Sequence, residues 1–296
     1  MPELPDIVVY IEALERRIVG ETVSGIRVAS PSVLRTFDPP YDAPVGRPVS
    51  GIHRVGKRIV LEFDDGEIYL VIHLMVAGRL RWEDSKKAIP RKVGLAAIDF
   101  ERGSLVMTEQ GTHKRAGIWL FDSWDGVAQL DRGGTEPLEA SPDEFASALR
   151  AENRTLKRAL TDPRIFSGIG NAYSDEILWA ARLSPVKRTS QLDDAEVERL
   201  HRAVVDSLTQ WSESLREEVG DGWPTKVTAF RDEMAVHGKY GEPCPRCDSP
   251  VQRIVYASNE TNYCATCQTE GKLLADRSLS RLLKDDWPKT IEDLEG

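Results

Sequence analysis

The sequence predicts an α+β protein: an N-terminal β-sandwich with one N-terminal helix, then a helical domain, then a small cysteine-bearing hairpin. Three observations carry this reading. Between Thr22 and Phe121, short apolar runs alternate with turn signals, as in a sandwich of antiparallel strands. Beyond Gly133-Gly134-Thr135-Glu136-Pro137, apolar residues recur at helical spacing. Near the end, four cysteines stand in two C-x-x-C pairs, Cys244 with Cys247 and Cys264 with Cys267.

Taken in order, Ile7–Val19 reads as a helix. Ile7, Tyr10, Ile11, Leu14 and Ile18 lie on one face, and Asp6 is placed to cap it. Strand-like runs follow at 23–28, 58–63, 67–73, 78–82, 96–100, 104–108 and 118–121, with turns such as Asp64-Asp65-Gly66 between them. Ser141 with Glu144 forms a capping box. Helical spacing then runs through 156–160, 172–182 and 195–215, and Asp162-Pro163, Gly168 and Gly170 interrupt the middle. Helix, tight glycine turn, helix is the layout of a helix–turn–helix element. The expected domains are therefore 1–131, a linker at 132–140, helices over 141–237, the hairpin over 238–270 and a tail at 271–296 with no assigned role.

The 296 residues are 41% hydrophobic and 29% charged, which suits a soluble chain of about two domains. No charged-then-apolar leader is visible, and no apolar run approaches the ~18 residues of a membrane span. A cytoplasmic place without a membrane partner is expected. There, cysteines are metal ligands or free thiols more often than disulfides. A net charge of −9 and a pI of 5.3 count against nucleic acid, whose binders show a basic footprint. The acid clusters at 193–198, 213–221 and 285–295, so a locally basic cleft remains compatible with it.

Sixteen residues separate Cys247 from Cys264. That spacing fits a closed, structural Zn2+ site of four thiolates, one ion per chain. Removal of Met1 would leave Pro2 as a free secondary amine. An α-amine titrates at about 7.7–8.0, so part of it is an unprotonated nucleophile at neutral pH, able to form an iminium at a sugar C1′. Glu3 stands beside it as a proton carrier. Gly168-Ile169-Gly170-Asn171 opens a helix, with Asn171 either an ordinary N-cap or part of a phosphate site that Lys157 also reaches. Arg54, Lys57 and Arg58, and likewise Lys114 and Arg115, are either solvated strand-edge charges or phosphate contacts. His73 reads as a packed strand histidine.

Together, Met1-Pro2-Glu3-Leu4-Pro5, Gly56-Lys57-Arg58, His73-Leu74, Gly78-Arg79-Leu80, Gly134-Thr135-Glu136-Pro137-Leu138, Gly168-Ile169-Gly170-Asn171 and Gly241-Glu242-Pro243-Cys244 resemble the formamidopyrimidine-DNA glycosylase / endonuclease VIII family. The resemblance runs from residue 1 to about 268. It implies a helix–two-turn–helix in the helical domain and damaged DNA (duplex, bubble or single-stranded) in a cleft between the two domains. It implies a monomer in the cytoplasm, associated with the nucleoid. It also implies base excision through a Pro2 Schiff base, with Glu3 moving protons, Lys57 holding phosphates beside the lesion, and abasic-site lyase nicking. Lys157 and Asn171 match the family's helical-domain phosphate contacts.

The sequence departs from the pattern at several places. Asn259 replaces a hairpin arginine and would contact DNA more weakly. Val76 stands where a void-filling methionine is usual, with Met75 displaced by one. Lys114 and Ala116 align with an Arg and a Phe, and alanine is a poor wedge. Asp6 replaces a Glu, and the loop before Val236 is short. These changes point to a lesion range shifted from 8-oxoguanine. The alternative is a catalytically weak lesion-binding protein on the same fold.

Overall fold

The computed structural model describes residues 1–111, 113–256, 259–275 and 288–294. It divides into two compact units, Met1–Arg132 with Trp211–Thr228, and Gly133–Gln210 with Ala229–Gly296.

In the first unit, helix α1 (Leu4–Ile18) begins three residues before the expected start. Glu3 is its N-cap. Asp6 sits in the first turn, where its carboxylate accepts the Glu3 N–H at 2.9 Å. Pro5 fits there because first-turn N–H groups have no helical partner. Ile7, Tyr10, Leu14 and Ile18 are fully buried against the sandwich.

Eight strands form two antiparallel sheets. One has the order β1 (Gly25–Val28), β6 (Gly94–Asp99), β7 (Ser104–Glu109), β5 (Gly78–Glu83). The other has the order β2 (Val49–Val55), β3 (Arg58–Phe63), β4 (Ile68–His73), β8 (Gly117–Phe121). Leu61, Phe63, Leu70, Leu80, Leu95, Leu105, Ile118 and Leu120 fill the space enclosed, each worth about 1.5–3 kcal/mol of apolar burial. Strand β2 was absent from the sequence reading. Gly51, His53 and Arg54 break its apolar pattern, and a register shift between Val49 and Gly51 breaks its period.

Two turns matter for function. Val55 pairs with Arg58, so Gly56-Lys57 is a two-residue hairpin turn. Gly56 has φ of 60°, the positive value required at the first position of such a turn, and Lys57 is thereby fixed at the tip. Between β4 and β5, Met75 has φ of 52° and Val76 is 60% exposed at the loop end. A short helix α2 (Trp124–Ala128) follows β8.

The second unit holds α3 (Pro142–Arg150), capped by the Ser141/Glu144 box, then α4 (Leu156–Thr161) and α5 (Asn171–Ala180). Two turns over 162–170 join α4 to α5. Phe145 stacks on Phe166 at 4.7 Å in its core. Helix α6 (Asp194–Val219) starts in this unit. The sequence reading kept 141–237 together, but Trp211–Thr228 belongs to the first unit. There Arg216 pairs with Glu12 at 2.8 Å. The Trp223 ring lies 5.7 Å from Tyr10 and 6.4 Å from Trp82, and its indole N–H donates to the Leu80 carbonyl at 3.0 Å.

Strands β9 (Val251–Val255) and β10 (Glu260–Cys264) form the cysteine hairpin, followed by α7 (Ala265–Thr269). The described part of the tail folds back on it. Leu273 N–H donates to the Lys289 carbonyl at 2.8 Å and Ile291 N–H to the Gly271 carbonyl at 3.0 Å. Leu273, Leu274 and Ile291 cover Ile254, Tyr263 and Ala265. Burial pushes the Tyr263 hydroxyl up to about 12, and that hydroxyl accepts the Leu274 N–H at 2.7 Å.

Trp223→Ala is expected to cost about 2–3 kcal/mol, less than full aromatic truncation because the ring is half-buried. Urea unfolding checks this. Trp223→Phe should recover the packing share but not the bond to Leu80.

Candidate active site and metal centre

The N-terminal site is assembled by α1 and two β-turns. The apolar face of α1 draws the chain start into the first unit, so Pro2 is buried and Glu3 is only 2% exposed. The N-terminus of α1 favours negative charge at Glu3. Met1 carries the α-amine. Burial lowers its pKa from the ordinary 8.0, Arg79 and Lys57 push the same way, and Glu3 and Asp6 oppose. An amine inclined to lose its proton thus sits among two carboxylates and two cations. Lys57 reaches it from the β2–β3 tip. Arg79 enters at the start of β5, its guanidinium bonded to the Gly78 carbonyl at 2.6 Å. The sequence reading held Arg79 only as part of a motif; its signal was a cation directly after a tight turn.

His73 pairs in register with Arg58. Burial, with help from Arg58 and Lys57, lowers its pKa to about 4. It is neutral at pH 7.

Glu109, 2% exposed, organises the loop that holds Lys114 and Arg115. Its carboxylate accepts the Arg115 and Ala116 N–H groups at 2.9 and 3.1 Å, and its carbonyl accepts the Lys114 ammonium. Lys114 is therefore tied down while Arg115 is exposed. Ala116 is 1% exposed within the core. Of the three positions compared with a wedge, Val76 alone stands at a loop tip.

In the second unit Lys157 and Asn171 lie together at the start of α5. Lys157 is 9% exposed. Its ammonium donates to Asp175 at 2.5 Å and to the Asn171 carbonyl at 2.6 Å. A cation this deep requires a counter-charge, and the sequence reading did not include Asp175. Its other oxygen lies 2.7 Å from His237 Nδ1. Gly170 is the N-cap of α5 and Asn171 the first helical residue, so the N-cap reading of Asn171 is corrected. The Asn171 amide donates to the Glu260 carbonyl at 3.0 Å, which ties α5 to the hairpin. Next to Glu260, Asn259 is exposed near the hairpin tip.

The four cysteine sulfurs lie within 4.8 Å of one another, with neighbouring pairs at 3.4, 3.5 and 4.0 Å. Four thiolates around one tetrahedral ion at about 2.3 Å stand about 3.8 Å apart, so the set fits a metal. The Trp179 indole N–H donates to Cys244 Sγ at 3.4 Å and the Cys267 N–H to Cys264 Sγ at 3.4 Å. Such donors support thiolate charge. This is a closed structural metal site.

A sandwich with a buried amine and carboxylate, a helix–two-turn–helix and a four-cysteine hairpin together define the architecture of a DNA-repair glycosylase. Family profiles agree in the same order. "Formamidopyrimidine-DNA glycosylase N-terminal domain" matches residues 1–113, "Formamidopyrimidine-DNA glycosylase H2TH domain" matches 134–217, and "Zinc finger found in FPG and IleRS" matches 241–269. The chain is similar to the formamidopyrimidine-DNA glycosylase of Chloroflexus aurantiacus, 34% identical over 90% of this chain and 98% of that one. It is similar to the enzyme of Exiguobacterium sibiricum, 32% identical over 90% and 99%. Its fold is similar to the solved complex of the Lactococcus lactis protein with DNA containing an abasic site, with TM-score 0.78, 28% identity, and 90% and 99% coverage. The chain belongs to the formamidopyrimidine-DNA glycosylase family. Among the described residues no helix is long and apolar enough to cross a membrane.

His73 has a pH consequence. Unfolded, it takes up a proton near 6.5; folded, only near 4. It costs nothing above the upper value, and stability falls as pH drops between the two. Urea midpoints from pH 7 to 4.5 should fall less steeply in His73→Gln than in the parent.

Proposed function

We propose that this family member is a bifunctional DNA glycosylase and abasic-site lyase acting through Pro2. The supporting observation is the chain start itself: Pro2 and Glu3 are buried, and the pKa of the Met1 α-amine beside them is lowered by burial, Arg79 and Lys57. Removal of Met1 places the Pro2 secondary amine among the same groups. Its lone pair attacks C1′ of a damaged nucleotide, the C1′–N bond to the base breaks, and the base leaves with the bonding electrons and takes up a proton from solvent. Glu3, held at the helix cap, takes the proton lost from the amine and supplies one to the sugar oxygen as the ring opens. The resulting iminium acidifies the C2′ hydrogen. Loss of that proton expels the 3′ phosphate and nicks the strand, and water then releases the amine.

Lys57 is assigned to a phosphate beside the lesion, and the start of α5 with Asn171 to another. Lys157 supports that helix start through Asn171 and Asp175. Arg115 and Asn259, both exposed, are assigned to backbone contact. Zn2+ is the proposed occupant of the cysteine site, since four thiolates in a closed tetrahedron select it.

Related solved complexes hold DNA containing Fapy-dG, an oxidised pyrimidine or carbocyclic 8-oxo-G. In this chain the stubby Val76 tip, the tied Lys114 and the buried Ala116 make a weak wedge. They support a lesion range shifted toward bases already unpaired. Cutting should be faster on bubble or single-stranded substrates than on an intact 8-oxoguanine duplex, and the reverse ranking in a side-by-side assay would refute this. A second reading, a lesion binder with little turnover, draws on the sequestered Lys157 and on Asn259.

Borohydride trapping on a strand with one abasic site decides between them. The untagged protein should form a covalent band. Pro2→Gly, or a tag left before Pro2, should lose it, and Glu3→Gln should slow excision about 10²–10⁴-fold. DNA binding without any band would establish the binder. For the metal, Cys264→Ser should abolish bound Zn2+ in elemental analysis and weaken DNA binding while leaving the first unit folded by circular dichroism.

A further inference from the structure

The cysteine hairpin has two faces, and only one of them belongs to the metal. Val251 and Ile254 are three residues apart on β9, and Cys264 follows Tyr263 on β10. Strand alternation therefore sends Val251 and Cys264 to one face and Ile254 and Tyr263 to the other. On the first face Val236, Cys244, Val251 and Cys264 pack together, with Trp179, Cys247 and Cys267 against them. On the second, Ile254 and Tyr263 are only 3% and 1% exposed, because Leu273, Leu274 and Ile291 of the tail lie over them. Backbone bonds fix this cover. Lys272 and Thr290 form an antiparallel bridge. The Thr269 hydroxyl donates to the Lys272 carbonyl at 2.6 Å, and the Asp293 carboxylate accepts the Lys289 and Thr290 N–H groups at 2.8 and 2.9 Å. All of it lies beyond residue 269, where the matched zinc-finger region ends.

We propose that residues 271–275 and 288–293 are a strap that keeps the cysteine hairpin folded when its metal is absent. A two-stranded hairpin alone is marginal in water. A structural Zn2+ ordinarily supplies the missing folding energy, so that such a module unfolds when the ion leaves. Here the chain itself closes the second apolar face, through contacts that involve no cysteine. Leu273 on Tyr263 and Ile254, and the Leu274 N–H on the Tyr263 hydroxyl at 2.7 Å, persist whatever the sulfurs hold. The four thiols then stay assembled in the empty site, and metal uptake carries no folding cost. The inference rests on the assignment of Zn2+ to this site and is independent of the DNA chemistry.

The test compares the full-length parent with the double variant Leu273→Ala, Ile291→Ala, each loaded with Zn2+ and each stripped by a chelator. Hydrogen exchange of peptides covering 251–264 reports whether the hairpin is closed. The loaded proteins should both be protected. Stripping should leave the parent protected but speed exchange in the variant at least about 30-fold, the effect of one buried Leu→Ala change. The apparent Zn2+ affinity of the variant should fall by a similar factor, since binding must then fold the site. Leu273→Ala alone should fall between the two, and the volume-conserving pair Leu273→Met, Ile291→Leu should match the parent. Equal exchange in the stripped parent and the stripped double variant, whether both closed or both open, would overturn the proposal. So would a loaded variant as open as the stripped one, since the strap would then be a general support and not a substitute for the metal. Elemental analysis reads the metal separately: a parent that takes up no Zn2+ would refute the zinc assignment, while the exchange comparison still decides the strap.

Discussion

The second unit depends on how two adjacent buried carboxylates on α5 are satisfied. Asp175 is 0% exposed and Glu176 is 5% exposed. Carboxylates this deep persist only with partners. Asp175 takes Lys157 from α4 and His237 from the chain leading to the hairpin. Glu176 takes three successive backbone N–H groups, and burial still pushes its pKa upward against them. The two residues therefore join the helix–two-turn–helix to the segment that precedes the cysteines. The Asn171 amide on Glu260 and the Trp179 indole on Cys244 extend the same helix onto the hairpin itself. Metal centre, hairpin and helix start are one polar assembly built around ten residues of α5.

The first unit applies the same constraint to different ends. Glu3 is buried at a helix terminus, and Lys57 and Arg79 act on the amine beside it. Glu109 is buried by accepting two loop N–H groups, which sets the course of Lys114–Ala116. In both units the acidic residues that matter are inside. They do not oppose a DNA partner as the net charge of −9 would suggest, because buried carboxylates with cationic or amide partners project little field outward.

The sequence revealed those parts of the fold whose pattern is local. The apolar stripe of α1, the Ser141/Glu144 box and the C-x-x-C spacing are each set within a few residues, and each was legible. The pair Pro2-Glu3 stood out as a candidate for a different reason: its chemistry belongs to the chain start. Strand β2 was not legible, since Gly51 and the bulge erase its period and it exists by pairing with β3. Asp175, Glu109 and Arg79 were missed for another reason. Their roles arise from partners distant in sequence, as with Asp175 and His237, or from a loop geometry that no spacing encodes. The partner of Lys157 was hidden on the same ground, a carboxylate eighteen residues on.

Helix α6 begins in one unit and ends in the other, and the chain then supplies Trp223 to the sandwich before returning to the hairpin. The two units are interleaved along the chain. During synthesis the sandwich cannot be finished when its eighth strand leaves the ribosome. It stays open beside Tyr10 and Trp82 until residues 211–228 have been made, after α3, α4 and α5. The first unit is thus completed only after much of the second has been made, unlike a chain whose domains follow one another in order. A nonsense mutation anywhere before residue 211 leaves both units incomplete, whereas one just after residue 228 would still permit a complete sandwich.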